Sequence, residues 1–274
     1  MIGFIALSLT PVAASELRAV TSEKIPYNFL LPSTGQQQQQ PPAEQVVGLS
    51  VDLVRALLPQ QPPLPILHLP WPRAFDTALK NPDVLIFTMG KTRQREQQGF
   101  RFIGPVSTRQ HGLYARKTDL PPLRNLADIR THRLTVVGLR GGWLTSSLRL
   151  QGIDVQEVGD YQQALQMLLL DRAQLWVSSD LEANLHLHQA GATGSLVLAL
   201  ELQCSENYLA LSPGSSEQHL QQLQQAYQQW QTSQAAAELA RRWQEKLAVG
   251  LTFVPEHGFV SRSFQPKKCP ELNF

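Results

Sequence analysis

The sequence has little net charge, few cysteines and no long apolar run. Its 274 residues include 24 basic and 22 acidic side chains, so the formal net charge is +2 and charged residues make up only 17% of the chain. Binding to nucleic acid through backbone phosphates needs a strongly basic surface. We therefore expect no nucleic-acid partner. No apolar run reaches the roughly 20 residues of a membrane-spanning helix.

Only two cysteines are present, Cys204 and Cys269. Neither has a second cysteine or a histidine at ligand spacing, so the sequence predicts no metal site, and we expect no cofactor. In an oxidising compartment two cysteines can form one disulfide, which would tie the C-terminal tail to the segment before Glu206. Two unrelated thiols are the alternative.

The first fourteen residues are typical of an export signal. Residues 2–9 are apolar, Pro11 interrupts them, and Val12-Ala13-Ala14 supplies the small residues that signal peptidase needs. We expect a signal peptide over residues 1–14 and a periplasmic location. Positive charge is missing ahead of the apolar run, which suggests that the true start lies upstream. An ordinary N-terminal core segment is the alternative.

The stretch 83–105 contains the clearest recognition pattern. Val84 to Phe87 is continuously apolar, as in a buried parallel strand, and a polar loop follows it directly. Ligands of open α/β sheets collect beyond the carboxyl ends of strands. A guanidinium can hold a carboxylate with two parallel hydrogen bonds, so we predict that Arg95 binds a ligand carboxylate, assisted by Thr88 and Thr92. A solvated basic loop is the alternative.

Further along the chain, strand and helix patterns alternate. Strand patterns lie at 17–21, 66–69, 83–87, 134–138, 155–158 and 173–177, with helix patterns between most of them. Such alternation predicts an α/β fold with parallel sheets and right-handed crossovers. Residues 32–45, with five consecutive glutamines, predict a disordered insertion.

Three more positions are candidates for ligand contacts because of where they lie relative to strands. Tyr27 follows the first strand and could form an aromatic wall, or it could shield a loop. Gly142 and Trp143 lie at a turn into a helix whose backbone N–H groups could hold an anion. The alternative is a turn that only connects the strand to the helix. Asp180 follows a late strand and could pair with a ligand ammonium group or cap the next helix.

No catalytic constellation is visible in the sequence, so we predict no enzyme activity and no catalytic residue. A nucleophile elbow, a metal-ligand cluster and a Ser/His/Asp order are all missing. Glu96 and His111 are the nearby acid or base candidates, and Glu96 is expected to orient Arg95. His186 and His188 are expected at the surface of a helix.

Taken together, these motifs resemble those of type II periplasmic solute-binding proteins, in particular the polar amino acid receptors. The residues that carry the likeness are Leu17 to Thr21 with Pro26-Tyr27, Gly48 to Leu53, Thr92 to Glu96, Phe102 to Pro105 and Leu126 to Ile129. It extends from about Leu17 to Trp243. The resemblance implies two α/β lobes, each a mostly parallel sheet flanked by helices, joined by two hinge strands. Lobe 1 would comprise residues 15–107 and 206–274, and lobe 2 residues 108–205.

The resemblance also implies roles for individual residues. Arg95, three residues after Thr92, matches the arginine that binds the ligand α-carboxylate, and Tyr27 matches the aromatic after the first strand. Asp180 matches the acidic residue of lobe 2 only within one position. Trp71-Pro72-Arg73-Ala74 is similar to a divergent branch, so the ligand need not be a standard amino acid, and Trp71 and Arg73 join the predicted contacts.

The function implied is that of a monomeric extracytoplasmic binding protein. It would capture a small carboxylate-bearing ligand, an amino acid or a related acid, between the lobes and present it to a membrane permease or sensor. A dehydratase-like enzyme on the same fold and a stand-alone sensor subunit are the alternatives.

Overall fold

The computed structural model describes residues 16–31, 46–60, 62–117, 120–262 and 269. The predicted signal peptide at 1–14 and the predicted disordered insertion at 32–45 lie outside these described residues. Within the described part of the chain, no helix is both long enough and apolar enough to cross a membrane.

Twelve strands and nine helices form within the described residues. The strands are β1 Arg18–Thr21, β2 Phe29–Leu30, β3 Val46–Val47, β4 Ile66–His68, β5 Val84–Met89, β6 Arg101–Arg116, β7 Val136–Leu139, β8 Val155–Val158, β9 Leu175–Ser179, β10 Leu196–Leu211, β11 Leu251–Val254 and β12 Gly258–Ser261. The helices are α1 Leu49–Leu57, α2 Trp71–Lys80, α3 Arg93–Gln97, α4 Leu126–Thr131, α5 Trp143–Leu150, α6 Tyr161–Leu169, α7 Asp180–Gln189, α8 Glu217–Gln231 and α9 Gln234–Leu247.

One long sheet connects two parallel halves through a pair of antiparallel strands. Its order is β4-β1-β5-β10-β6-β9-β7-β8. Strands β4, β1 and β5 are mutually parallel, as are β9, β7 and β8. Between them run β6 and β10, paired antiparallel from Arg116 opposite Leu196 to Arg101 opposite Leu211. The first half with its helices is called lobe 1, the second lobe 2, and β6 and β10 the hinge strands.

This arrangement confirms the predicted fold class. Each lobe has an apolar strand at its centre whose neighbouring side chains point to opposite faces. In lobe 1, Leu85 and Phe87 of β5 join a core with α1, α8 and α9, while Val84 and Ile86 join a second core with α2. A strand buried on both faces needs helices on both sides of the sheet, which explains its continuous apolar run.

The stretch after Met89 is more ordered than the loop that the sequence predicts. It contains the short helix α3 and then passes into β6, which includes Phe102 and Pro105. Helix α1 begins after Gly48, and Ser50 is buried within its first turn.

The segment after residue 250, for which the sequence shows no period, contributes a third strand beside the hinge. Strands β11 and β12 form an antiparallel hairpin, and Phe259 of β12 pairs with Ser107 of β6. Thr108 donates its hydroxyl hydrogen to the backbone oxygen of His257 at 2.7 Å. A disulfide joins Cys204 of β10 to Cys269. The C-terminal segment is therefore attached to both hinge strands.

Candidate functional site

A cavity of about 540 Å³ lies between the two lobes, beyond the carboxyl end of β5. Its lining comes from both lobes and from the hinge strands. These residues are Trp71, Thr88, Gly90 and Arg95 from lobe 1, Gly141, Gly142 and Trp143 from lobe 2, Arg109, Ser205, Glu206 and Asn207 from the hinge strands, and Ser22, Glu23 and Lys24 from the loop after β1. Five predicted ligand contacts, Trp71, Thr88, Arg95, Gly142 and Trp143, thus face one space.

Arg95 reaches this cavity from α3, which begins at a threonine cap. The hydroxyl oxygen of Thr92 accepts a hydrogen bond from the Arg95 backbone N–H at 3.2 Å. Capping by threonine satisfies one of the N–H groups that the first turn of a helix leaves without a partner. Thr92 is itself buried, so it positions α3 rather than lining the cavity.

The guanidinium of Arg95 is held without an ion pair. Its Nη1 donates to the backbone oxygen of Gly90 at 2.5 Å, and its Cζ lies 5.3 Å from the ring centre of Trp71 and 5.6 Å from that of Phe75. Burial lowers the pKa of Arg95 from its ordinary value, but arginine keeps its charge at neutral pH. Among the described residues no carboxylate pairs with it, so its remaining donors are available to an anion.

Thr88 occupies a strained position at the end of β5. Its φ is 60°, a left-handed conformation that β-branched residues rarely adopt. Its hydroxyl donates to Asn28 Oδ1 at 2.5 Å, and the side chain is buried. Strain of this kind often occurs at binding sites, where neighbouring contacts hold it in place.

A second cavity of about 560 Å³ adjoins the first and reaches into lobe 2. Glu23, Lys24, Arg109, Gly142 and Trp143 line both. Its wall is largely aromatic and aliphatic. The ring of Tyr161 stacks on His186 with centres 5.3 Å apart, and Trp143 meets His111 edge to face at 5.2 Å. The predicted surface position of His186 is therefore wrong, because this side chain is half-buried in the cavity wall, while His188 is exposed as expected.

Arg109 and Glu182 form a buried ion pair at the boundary of the two cavities. Arg109 Nη1 lies 3.2 Å from Glu182 Oε1, and each side chain is 9% exposed. The hydroxyl of Ser179 donates to Glu182 Oε2 at 2.7 Å. Burial by itself lowers the pKa of Arg109, but the combined attraction of Glu182, Tyr27, Tyr161 and Asp180 outweighs it, so the pKa is raised. The sequence analysis identified neither residue, because they are 73 positions apart and only the strand pairing brings them together.

Lys24 also faces both cavities and was missed. Its backbone N–H donates to the oxygen of Asn28 at 2.7 Å, which fixes the loop after β1. Its ammonium group forms no ion pair or hydrogen bond within the described ranges of the chain. Burial, and then repulsion from Arg109, lowers the pKa of Lys24 to about 7. This lysine is therefore a poorly compensated cation in the cleft.

His111 lies beside this charged group without contributing a charge. Its Nε2 is 2.7 Å from Ser205 Oγ, and the ring is buried. Burial, helped by repulsion from Arg109 and Lys24, holds the pKa of His111 well below its ordinary value. The imidazole is thus neutral at physiological pH, and its contact with Ser205 connects the two hinge strands.

Several predicted contacts lie away from the cavities. The side chain of Tyr27 is fully buried in lobe 1, with the Arg109 guanidinium 5.8 Å from its ring centre, so it lies behind the cavity wall instead of forming it. Arg73 is exposed on α2. Glu96 pairs with Lys91 at 2.9 Å, so the prediction that it orients Arg95 is wrong.

Asp180 has structural partners that occupy its carboxylate. It accepts hydrogen bonds from the backbone N–H of Gln110 at 3.3 Å, from that of Leu181 at 2.9 Å and from the hydroxyl of Ser261. Burial raises the pKa of Asp180. Its side chain connects α7 to a hinge strand and to β12, and Glu182, two residues later, is the acidic residue of α7 that lines a cavity.

The site has no arrangement suited to a metal. Within residues 16–31, 46–60, 62–117, 120–262 and 269, no group of three or more His, Cys, Asp or Glu side chains is placed to hold a metal ion. The polar groups that the cavities offer are instead guanidinium, ammonium, carboxylate and backbone N–H groups. These groups recognise charged organic ligands.

Many solved structures are similar to this chain in fold. A putative binding component of an ABC transporter from Wolinella succinogenes, complexed with lysine, matches with a TM-score of 0.63 at 19% identity, over 82% of this chain and 94% of the other. The GluR0 ligand-binding core from Nostoc punctiforme, in complex with L-glutamate, matches with a TM-score of 0.59 at 19% identity, over 83% and 99%.

A histidine kinase sensor domain with similarity to periplasmic binding proteins matches with a TM-score of 0.60 at 17% identity, over 83% of this chain and 95% of the other. The chain has the type II periplasmic-binding fold. All three similar structures are named as binding or sensing domains, and identities this low show the fold alone. No family model matches the sequence, and no curated protein matches it.

In this type II periplasmic-binding fold, the two cavities occupy the gap between the lobes. Both open at the gap between the lobes, next to the strands that connect them. Open α/β sheets bind their ligands at such carboxyl-terminal edges. The residues that line both cavities are therefore those through which a ligand would contact the two lobes at once.

Proposed function

We propose that this protein is an extracytoplasmic binding protein that captures a small carboxylate-bearing ligand between its lobes. The observation that carries the proposal is Arg95. Its guanidinium lines the gap between the lobes, is backed by two aromatic rings and has no acidic partner in the described chain. A charge held in this way is stabilised most by a planar anion that accepts two hydrogen bonds, as a carboxylate does.

The opposite wall supports the same proposal. Helix α5 begins at Gly142 without a side-chain cap, so N–H groups of its first turn have no partner from a capping side chain. These dipoles favour an anion. A carboxylate contacted by Arg95 from lobe 1 and by this helix end from lobe 2 interacts with both only when the lobes are close. Ligand binding would thus favour a closed arrangement by differential contact.

The type II periplasmic-binding fold adds context to this proposal. The lysine and L-glutamate named for two similar structures both carry a carboxylate and an ammonium group. For a ligand that has an ammonium group, Glu206 offers a carboxylate in the same cavity, although it already accepts the hydroxyl hydrogen of Tyr208 at 2.5 Å. Asp180 is the weaker choice because hinge contacts occupy it.

The proposal includes a location and a partner. We place the protein in the periplasm as a monomer, with residues 108–205 as the inserted lobe 2. A membrane permease or a membrane sensor would recognise the closed form, in keeping with the transporter component and the kinase sensor domain among the similar structures. Binding, rather than catalysis, is proposed because neutral His111 is committed to Ser205 and because the similar structures are named as binding or sensing proteins.

The test compares two arginines on one short helix. Arg95→Met removes the proposed carboxylate contact, whereas Arg93→Met removes an exposed arginine two residues earlier. A panel of amino acids and organic acids is screened by thermal shift against the wild type, and the affinities of stabilising ligands are measured by calorimetry. We expect Arg95→Met to weaken binding roughly 30- to 300-fold and Arg93→Met to leave it unchanged. Equal binding by both variants would refute the assignment.

A further inference from the structure

Lys24 carries a second inference, which rests on the proposed function and makes its ligand more specific. The side chain projects into the part of the cleft that both cavities share. Within the described chain its ammonium group makes no ion pair. Lys24 is half-buried, and a partly desolvated ammonium group without an ionic partner is costly unless an anion compensates it.

The acidic residues around Lys24 are already engaged elsewhere. Glu182 is paired with Arg109 at 3.2 Å, and Glu23 with His68 at 2.9 Å. Glu206 accepts the hydroxyl hydrogen of Tyr208, and the Asp160 carboxylate accepts the backbone N–H of Gln163 at 2.7 Å as the cap of α6. None of these carboxylates forms an ion pair with the lysine.

The ion pairs of the cleft indicate which of its cations a ligand can pair with. Lys24 is repelled by Arg109 and Arg95 and attracted by Glu182. Arg109 is paired with Glu182, whereas neither Arg95 nor Lys24 forms an ion pair within the described residues. A ligand with one carboxylate compensates only one of them. We propose that the ligand carries two anionic groups, one bound by Arg95 and the other by Lys24, which makes it a dicarboxylate or an acidic amino acid.

The space agrees with this assignment. The cavity that holds Arg95 measures about 540 Å³ and the deeper one about 560 Å³, and Lys24 lines both. A short ligand of four or five carbons bound at Arg95 therefore has room to direct its second acidic group towards the shared region. The aromatic and aliphatic wall formed by Trp143, Leu144 and Tyr161 would contact its carbon chain.

Two matched ligand pairs test the inference on the wild-type protein. L-Glutamate is compared with L-glutamine, and succinate with succinamate, so that in each pair one carboxylate is replaced by a neutral amide of the same shape. The member with two carboxylates is called the dianion for those two groups alone, since L-glutamate also carries an ammonium group. We expect the dianion of at least one pair to bind roughly 10- to 100-fold more tightly. Titration calorimetry at pH 8 in buffers of different ionisation enthalpy should also detect proton uptake approaching one per ligand for that dianion, as an anion restores the charge of Lys24.

Variants then assign the effect to one residue. Lys24→Met should remove both the preference for the dianion and the proton uptake. Lys91→Met is the matched control, since this lysine is half-exposed and already paired with Glu96. Amide and dianion binding with equal affinity, both dependent on Arg95, would overturn the dianion proposal and leave the proposed function intact. Failure of every carboxylate to bind in a way that depends on Arg95 would overturn both.

Discussion

Arg95 and Arg109 line the same cleft but have opposite surroundings. Arg109 is buried and paired with Glu182 at 3.2 Å, while Arg95 is stacked against Trp71 and Phe75 and contacts only a backbone oxygen. An arginine whose charge is balanced inside the protein contributes to the fold. An arginine whose charge is left open is available to a ligand, which is why we propose Arg95 as the ligand contact. The comparison rests on the partners of each guanidinium, since residue type and position in a cavity are the same for both.

The largest expected effect comes from removing the ion pair between Arg109 and Glu182. Arg109→Met should lower the free energy of unfolding by about 3–5 kcal/mol, because it leaves Glu182 buried without a partner. Denaturant unfolding followed by circular dichroism measures this. The control is Arg101→Met on the same strand, whose pair with Glu217 is exposed and should be worth less than about 1 kcal/mol.

A double variant sharpens the same point. Arg109→Met with Glu182→Leu removes both charges, and we expect it to recover most of the lost stability. If the double variant is no more stable than Arg109→Met alone, then the uncompensated carboxylate is not the cause, and the contrast with Arg95 would need another explanation.

The next effect concerns Lys24, which lies between the two arginines. Its pKa falls from an ordinary 10.5 to about 7 in the folded protein, so between these values the unfolded chain binds more protons and stability rises with pH. The cost of the buried charge is fully present below pH 7 and disappears towards pH 10.5. Lys24→Met should therefore stabilise the ligand-free protein by roughly 2–4 kcal/mol at pH 6, and much less at pH 10.

Melting temperatures of wild type and variant over this pH range provide the measurement. Lys91→Met again serves as the control, with a difference from the wild type that should not change with pH. A constant stability difference for Lys24→Met between pH 6 and pH 10 would show that the lysine keeps its ordinary affinity for protons.

The smallest expected effect comes from removing the cap of α3, the helix that contains Arg95. Thr92→Ala removes the cap of α3 and should lower the unfolding free energy by about 1 kcal/mol, because an N–H of the first turn loses its partner. Thr92→Ser keeps the hydroxyl and should retain most of the stability. Thr92→Ala should also make α3 less ordered. Because that helix positions Arg95, the affinity for a carboxylate should fall as well. Unchanged stability in urea unfolding would contradict the role of the cap.

The order of strands and helices could be predicted from the sequence with few errors. The apolar run at Val84 to Phe87 indicated a buried parallel strand, and the alternation of segments indicated parallel sheets, while the division into two lobes came from the resemblance to a known family. What escaped prediction was the hairpin of β11 and β12. Its strands are four residues long and follow no helical or extended periodicity that stands out from a loop. Their pairing with the hinge depends on contacts far away in the sequence.

The candidate site was only partly predictable. Thr88, Arg95, Gly142 and Trp143 were identified because they follow a strand at the carboxyl-terminal edge of a sheet, and Trp71 because of the resemblance to a divergent branch of a known family. Thr92 was identified for the wrong reason, since its hydroxyl caps a helix that the sequence did not reveal. Asp180 and Glu182 illustrate the limit: both are acidic and near one helix start, and only the surroundings of each carboxylate assign one to the hinge and the other to the cavity.

The sequence by itself determined the strand and helix periods and the position of Arg95 shortly after a buried strand, because burial on a regular element leaves a local pattern of apolar residues. Only the tertiary structure decided which charges are paired. Lys24, Arg109 and Glu182 come from three distant segments, and their proximity follows from how the loop after β1, the hinge strand β6 and helix α7 pack together. Charge compensation is a property of that packing, so no local stretch of sequence encodes it.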